Sequence, residues 1–177
     1  MTQTATSDTS EITPQLFRKA MGRFATGVTV ITTEQGGEAR GMTASAFMSG
    51  SLTPPLCVIS IAKTARMHAL LMDTGKFGVS MLSRDQEAVS KHFAGRPIEG
   101  LEIKWEHHAG VPVLAGACGT IAAEVVAQHE CGDHTLFVGH ILDLRAHDKV
   151  ALAYHAGHYA TLMYQKDDSP VPKFEFW

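Results

Sequence analysis

The run GMTASAFMSGSLTPPLCVISIAKTARMH, residues 41–68, decides how this chain is read. It places four small hydroxyl residues, Thr43, Ser45, Ser49 and Ser51, in one ribbon and then turns at Pro54 and Pro55. Residues 57–61 are an apolar run of buried-strand type, and residues 66–72 read as a short helix stopped near Gly75. Small residues let backbone N–H groups come close to a ligand, and hydroxyls bond it without bulk. Lys63, Thr64 and Arg66, just ahead of the helix, suit a phosphate held at a helix start. The ribbon therefore reads as one face for a flat polar ring and one seat for its phosphate. A strand, a proline turn, a strand and a helix with a solvated basic edge is the plainer reading. From these residues alone both stand.

Upstream, residues 28–33 form a β-branched strand and residues 34–38, with Gly36 and Gly37, a hairpin turn, so the ribbon is the return strand. Before it, Thr13 and Pro14 open a helix as a hydroxyl cap and a first-turn proline. Leu16, Phe17, Ala20, Met21 and Phe24 recur at helical spacing, and Gly27 is the expected stop. Downstream come a strand over 77–82 and a helix over 85–93 with Val89 and Phe93 inward. An irregular stretch over 95–110 is anchored by Trp105, and strands follow over 121–127, 135–144 and 159–164. Several strands on short turns with few helices predict a mainly β, antiparallel barrel rather than alternating βαβ units.

At 177 residues one domain is expected, over 13–164. A Thr- and Ser-rich tail (1–12) precedes it. A charged, proline-containing tail (165–177) follows, ending in Phe174, Phe176 and Trp177, and either docks on a partner or frays. A formal net charge of −3 gives no nucleic-acid footprint, and no apolar run is long enough to span a bilayer. Cys57, Cys118 and Cys131 are odd in number and lack Cys-x-x-Cys spacing, which favours the cytoplasm over a disulfide framework. The ten histidines form no His-Glu-x-x-His pattern, so no metal is expected. Rossmann, P-loop and Gly-x-Ser-x-Gly motifs are absent, so any chemistry is expected to come from a bound organic cofactor.

Two further stretches carry candidate groups. Gly132-Asp133 turns the chain and delivers His134 to a strand start, where an imidazole can stand at a pocket mouth or merely cover the turn. Tyr154 and Tyr159 bracket a turn at Gly157; either ring can wall a cleft, or sit half in the core with its hydroxyl in water.

Residues 17–32, 41–56, 93–95, 132–139 and 154–159, in that order and spacing, resemble the flavin reductase-like family. This family supplies the small reductase component of two-component flavin-dependent monooxygenases. The likeness runs from residue 14 to 162. It implies a six-stranded antiparallel split β-barrel of the Greek-key, FMN-binding type with a few peripheral helices. It also implies a homodimer, FMN or FAD as cofactor, NADH or NADPH as co-substrate, and a monooxygenase as partner. By resemblance Thr43, Ala44, Ser45 and Ala46 lie along the flavin ring with Ser49 and Ser51 nearby, and Ala62, Lys63, Thr64, Ala65 and Arg66 hold phosphate. Phe93 and Gly95 border the flavin, His134 serves the nicotinamide side and Tyr159 shapes that cleft. The chain departs from the family where Ala46 replaces a frequent Ser and Ala65-Arg66-Met67 replaces a frequent Ser-Arg-Thr; at His140 another polar residue is more usual. Three other readings fit the same barrel: a cobalamin or ferric-complex reductase, a non-catalytic flavin or haem-utilisation module, and an adaptor whose tail docks a partner.

Overall fold

The computed structural model describes residues 12–163. The expected tails, apart from Ile12, lie outside the described residues, as do Tyr164 and the terminal aromatic cluster. Helix α1 (Pro14–Met21) starts as its sequence dictates: the Thr13 hydroxyl accepts the Leu16 N–H at 3.2 Å and Pro14 fills the first turn. It stops at Gly22, short of the expected Gly27, because the Gly22 carbonyl is taken by the Ala156 N–H at 2.7 Å. Phe24 therefore falls beyond the helix and stands exposed.

The remaining elements follow in order: β1 (Thr26–Gly27), β2 (Thr29–Gln35), β3 (Glu38–Ala44), β4 (Phe47–Ser51), β5 (Leu56–Ala62), α2 (Arg66–Thr74) and β6 (Lys76–Met81). After a 3-10 turn (Arg84–Gln86) come α3 (Glu87–Phe93), β7 (Trp105–His108), β8 (Val111–Leu114), β9 (Gly119–Cys131), β10 (His134–Ala146), β11 (Leu152–His155) and β12 (His158–Thr161). One sheet holds seven strands in the order β3-β2-β6-β9-β10-β5-β4, all antiparallel. The class is mainly β, as the sequence predicts. The seven strands, against six expected, arise because the ribbon breaks at Ser45 and Ala46 into β3 and β4. Those two strands lie at opposite ends of the pairing order, yet only two residues separate them in the chain.

The stretch read as irregular contains the β7–β8 hairpin. Its turn places both Ala109 (φ 49°) and Gly110 (φ 76°) in left-handed backbone, the conformation a tight hairpin requires. Ala-Gly is a weak hairpin signal beside Asn-Gly, which is why periodicity passed over it. His108 on this hairpin is buried, with Nε2 at 3.2 Å from Glu106 and Nδ1 at 3.2 Å from the Thr120 hydroxyl, and so fastens the hairpin to β9.

Two cores result. In the first, Ile31, Ile59, Phe77, Val79 and Phe137 of the large sheet pack with Met67 and Leu71 of α2. On the other side Val28, Val30, Leu82, Leu114 and Leu152 form a second cluster against which Phe93, Trp105 and Tyr159 pack. Each fully buried aliphatic or aromatic side chain contributes about 1.5–3 kcal/mol. Gly139 is required by the first core, since a Cβ there would run into the Phe77 ring.

Candidate functional site

The alternation of β3 sorts its side chains. Met42 and Ala44 pack on the first core, so Gly41 and Thr43 face the opposite way, toward α3. Gly41 lets the Phe93 ring lie against the strand backbone; a Cβ at 41 would stand 2.7 Å from that ring. Thr43 donates its hydroxyl to the Ser90 carbonyl at 2.7 Å, and the buried Ser90 hydroxyl is 2.9 Å from the Tyr159 hydroxyl. Tyr159 meets Tyr154 edge-on at 5.3 Å and carries the Lys91 ammonium 5.6 Å from its ring centre. One helix, α3, thus fixes both the ribbon and the last hairpin.

Two cavities open on either side of this joint. The larger, about 790 Å³, is walled by β3 from Ala39 to Thr43, by Ala65 and Arg66 at the start of α2, and by Phe93, Gly95 and Trp105. The smaller, about 220 Å³, is walled by Thr43, Ala44, Ser45, Ser90, Tyr154 and Tyr159. Thr43 borders both. Five of the residues singled out in the sequence, Thr43, Ala65, Arg66, Phe93 and Gly95, therefore meet in one cavity, and Ala44, Ser45 and Tyr159 meet in its neighbour.

The others sit elsewhere. Ala46 is exposed at the corner between β3 and β4, where its carbonyl accepts the Ser60 N–H at 3.1 Å. Ser49 and Ser51 lie further along β4, opposite Cys57 and Leu56. Ala62 ends β5, and Thr64 is exposed in the turn that follows. Lys63 leans to β9, its ammonium 3.5 Å from Glu130, away from Arg66. His134 pairs across from Ala62, half-buried, with Nδ1 2.8 Å from Asp133. That hydrogen bond, and then the imidazole's charge, hold the Asp133 carboxyl below its ordinary value. His134 and Tyr159, expected to share a cleft, stand at different places in this chain: one beside the 62–66 turn, the other in the smaller cavity.

Helix α2 begins without a side-chain cap, since Ala65 stands where a hydroxyl would close the first turn. Its leading N–H groups and the Arg66 guanidinium make the mouth of the larger cavity suited to an anion.

Sequence reasoning missed Arg40 and Ser90 and took Trp105 only as an anchor of the irregular stretch, not as a wall of the cavity. Arg40 shares its face of β3 with Met42 and Ala44 and pairs with Glu38, and its Nε is buried without a hydrogen-bond partner among the described residues. Leaving such a donor unsatisfied costs about 1–3 kcal/mol. The sequence carried no signal for Arg40, whose side chain is 39% exposed and paired with Glu38. Ser90 carried none, being a small polar residue in a helix whose apolar spacing points elsewhere.

The flavin reductase like domain family matches residues 21–163. An NADH-dependent flavin reductase of Rhodococcus sp is 44% identical over 173 residues, which is 96% of this chain and 98% of that one. The reductase component of 4-hydroxyphenylacetate 3-monooxygenase from Thermus thermophilus is 42% identical over 125 residues, 71% of this chain and 80% of that one. Among solved structures, the flavin reductase PheA2 in its native state superposes with a TM-score of 0.84 at 42% identity, covering 86% of this chain and all (100%) of that one.

Proposed function

The chain belongs to the flavin reductase-like family, and on that premise we propose that it is an NADH-dependent flavin reductase supplying reduced flavin to a separate monooxygenase. The observation that carries the reading is the larger cavity. It joins a small-residue ribbon, an uncapped helix start bearing Arg66 and the Arg40 side chain in one space of about 790 Å³. These residues fit a flavin nucleotide: small residues that admit a ring, an anion seat and a flat wall.

A bound flavin accepts a hydride from a dihydronicotinamide, and that two-electron chemistry is the cofactor's own. The chain's residues bind and orient. At the corner, the Ser45 carbonyl is already taken by Phe47 N–H and the Ala46 carbonyl by Ser60 N–H. Thr43 to Ala46 therefore offer a ring small side chains and N–H groups, with Ser49 and Ser51 along the same ribbon. The 62–66 turn holds phosphate through Arg66, Thr64 and the first turn of α2. Phe93 and Gly95 exclude water from one side. His134, beside the 62–66 turn, orients the nicotinamide carboxamide or ribose, and Tyr159 bounds the smaller cavity next to the ribbon; positioning of the two rings would supply most of the rate.

The six-stranded split barrel belongs to the same proposal. With β3 and β4 taken as one ribbon bent at Ser45 and Ala46, that ribbon and β2, β6, β9, β10 and β5 make a ring of six strands, which the pairing order supports. A single domain over 13–164 and a cytoplasmic location, the latter from the cysteine usage of the sequence, complete it. The homodimer is supported by α1, which buries none of its residues and leaves Leu16, Phe17 and Met21 about half exposed.

The test is steady-state oxidation of NADH and NADPH with FMN, FAD and riboflavin added in turn. Flavin-dependent consumption of NADH is expected. Protein that neither binds a flavin nor oxidises a dihydronicotinamide with any of them overturns the reading.

A further inference from the structure

We propose that the aromatic segment Phe174-Glu175-Phe176-Trp177 folds back onto its own chain and docks in an apolar groove beside Phe24. The inference does not depend on the flavin reading. The groove has a volume of about 410 Å³, and its walls include Phe24, Val28, Phe47, Leu82, Cys118 and Leu152. Val28, Leu82 and Leu152 belong to the second core, so part of the wall is fixed by packing. Phe24 is 77% exposed. A single apolar side chain in water is ordinary, but an aromatic ring at the edge of an apolar groove marks a docking surface.

Three observations name the occupant. First, the described chain stops beside the groove. Thr161 of β12 is in register with Leu152, a groove wall, and Leu162 and Met163 that follow are exposed. Residues 164–174 span up to about 35 Å when extended, so a return to a groove one strand away is within reach. Pro170 and Pro172 restrict the backbone and so lower the entropy that ordering the segment costs. Second, composition separates the two segments that lie outside the described residues. Residues 1–11 hold no aromatic and only Met1 as a large apolar side chain, whereas Phe174, Phe176 and Trp177 can each bury about 150–250 Å². Third, the charges match. Arg23 adjoins Phe24, and Lys149 is near enough to Cys118 for its charge to act on that thiol, while Glu175 stands between the two phenylalanines. Val28 and Ser45 border both this groove and the smaller cavity, so the docked segment abuts the corner of the ribbon.

The test is acrylamide quenching of Trp177 fluorescence in the full chain carrying Trp105→Phe, which leaves Trp177 as its only tryptophan. Quenching should be at least about threefold weaker than in a synthetic peptide of residues 164–177, and adding Phe24→Glu should bring it close to the peptide value. Phe24→Glu alters an exposed residue, so the fold should survive it. If Trp105→Phe does not fold, chymotryptic cleavage after Phe174 carries the test: about tenfold slower in the unaltered chain than in the peptide, and close to the peptide rate in Phe24→Glu. Trp177 quenched, or Phe174 cleaved, as readily as in the peptide overturns the proposal. So does protection that Phe24→Glu leaves intact, which would seat the segment elsewhere. Protection lost on dilution also overturns it, because the groove would then hold the segment of a second copy.

Discussion

The Ser90 hydroxyl lies 2.9 Å from the Tyr159 hydroxyl, and the carbonyl of the same serine accepts the Thr43 hydroxyl at 2.7 Å. A single buried residue of α3 thereby fixes the spacing between the ribbon and the β11–β12 hairpin. Tyr159→Phe should lower the unfolding free energy by about 1 kcal/mol, and Ser90→Ala by about 1–2 kcal/mol because its site is buried. The double variant should cost less than the sum, with a coupling of about 1 kcal/mol in a denaturation cycle. Additive losses would mean the two hydroxyls act separately.

Gly41 is where β3 meets Phe93. Gly41→Ala places a methyl 2.7 Å from that ring, so Phe93 must shift out of its seat between the strand and Trp105. A loss of about 1–3 kcal/mol is expected from overpacking, together with weaker flavin binding, since Phe93 walls the larger cavity. Adding Phe93→Leu should restore part of the stability but not the affinity.

Burial pushes the Cys57 thiol up to about 11. At pH 8 its thiolate is then about one part in a thousand, so iodoacetamide should modify exposed Cys131 first and leave Cys57 untouched until denaturant is added. The sign for stability follows. The folded value lies above the ordinary one of 9.0, so this contribution is whole below pH 9 and is lost as pH rises toward 11. Chemical denaturation of Cys57→Ala should lack that alkaline decline, and intact-mass analysis checks the alkylation order.

His134→Ala should raise the KM for NADH or lower kcat by about three- to tenfold, the loss expected of an orienting group. Turnover abolished at saturating NADH would make the imidazole an obligatory proton donor or acceptor instead. The same substitution releases Asp133, whose carboxyl His134 holds low. The folded value is depressed, so its contribution is present above the ordinary value of 3.8 and lost as pH falls through the folded one. Carboxyl NMR titration should show Asp133 moving up toward 3.8 in the variant.

Much of this was legible in the sequence for physical reasons. The Thr13-Pro14 start, the β-branched strand before Gly36-Gly37 and the apolar run at 57–61 are local signals, and each became the expected element. The end of α1 was not legible, because the partner that takes the Gly22 carbonyl is Ala156, far along the chain. Nor was the β7–β8 hairpin, whose turn relies on an alanine in left-handed backbone. At the site, Thr43 and Arg66 were singled out by residue type and Phe93 through the family resemblance, and the structure brings the three to one cavity. Their separation from Lys63 and His134 depends on which way the 62–66 turn faces, and that is set by long-range pairing with β10.

That pairing has one more consequence. Lys63 N–H bonds the Asp133 carbonyl at 2.9 Å, and Ala62 is in register with His134. The far end of the β9–β10 arm and the loop leading into α2 are thus joined through the main chain, so the spacing between the imidazole and that loop is set by backbone pairing and not by the side chains the loop carries.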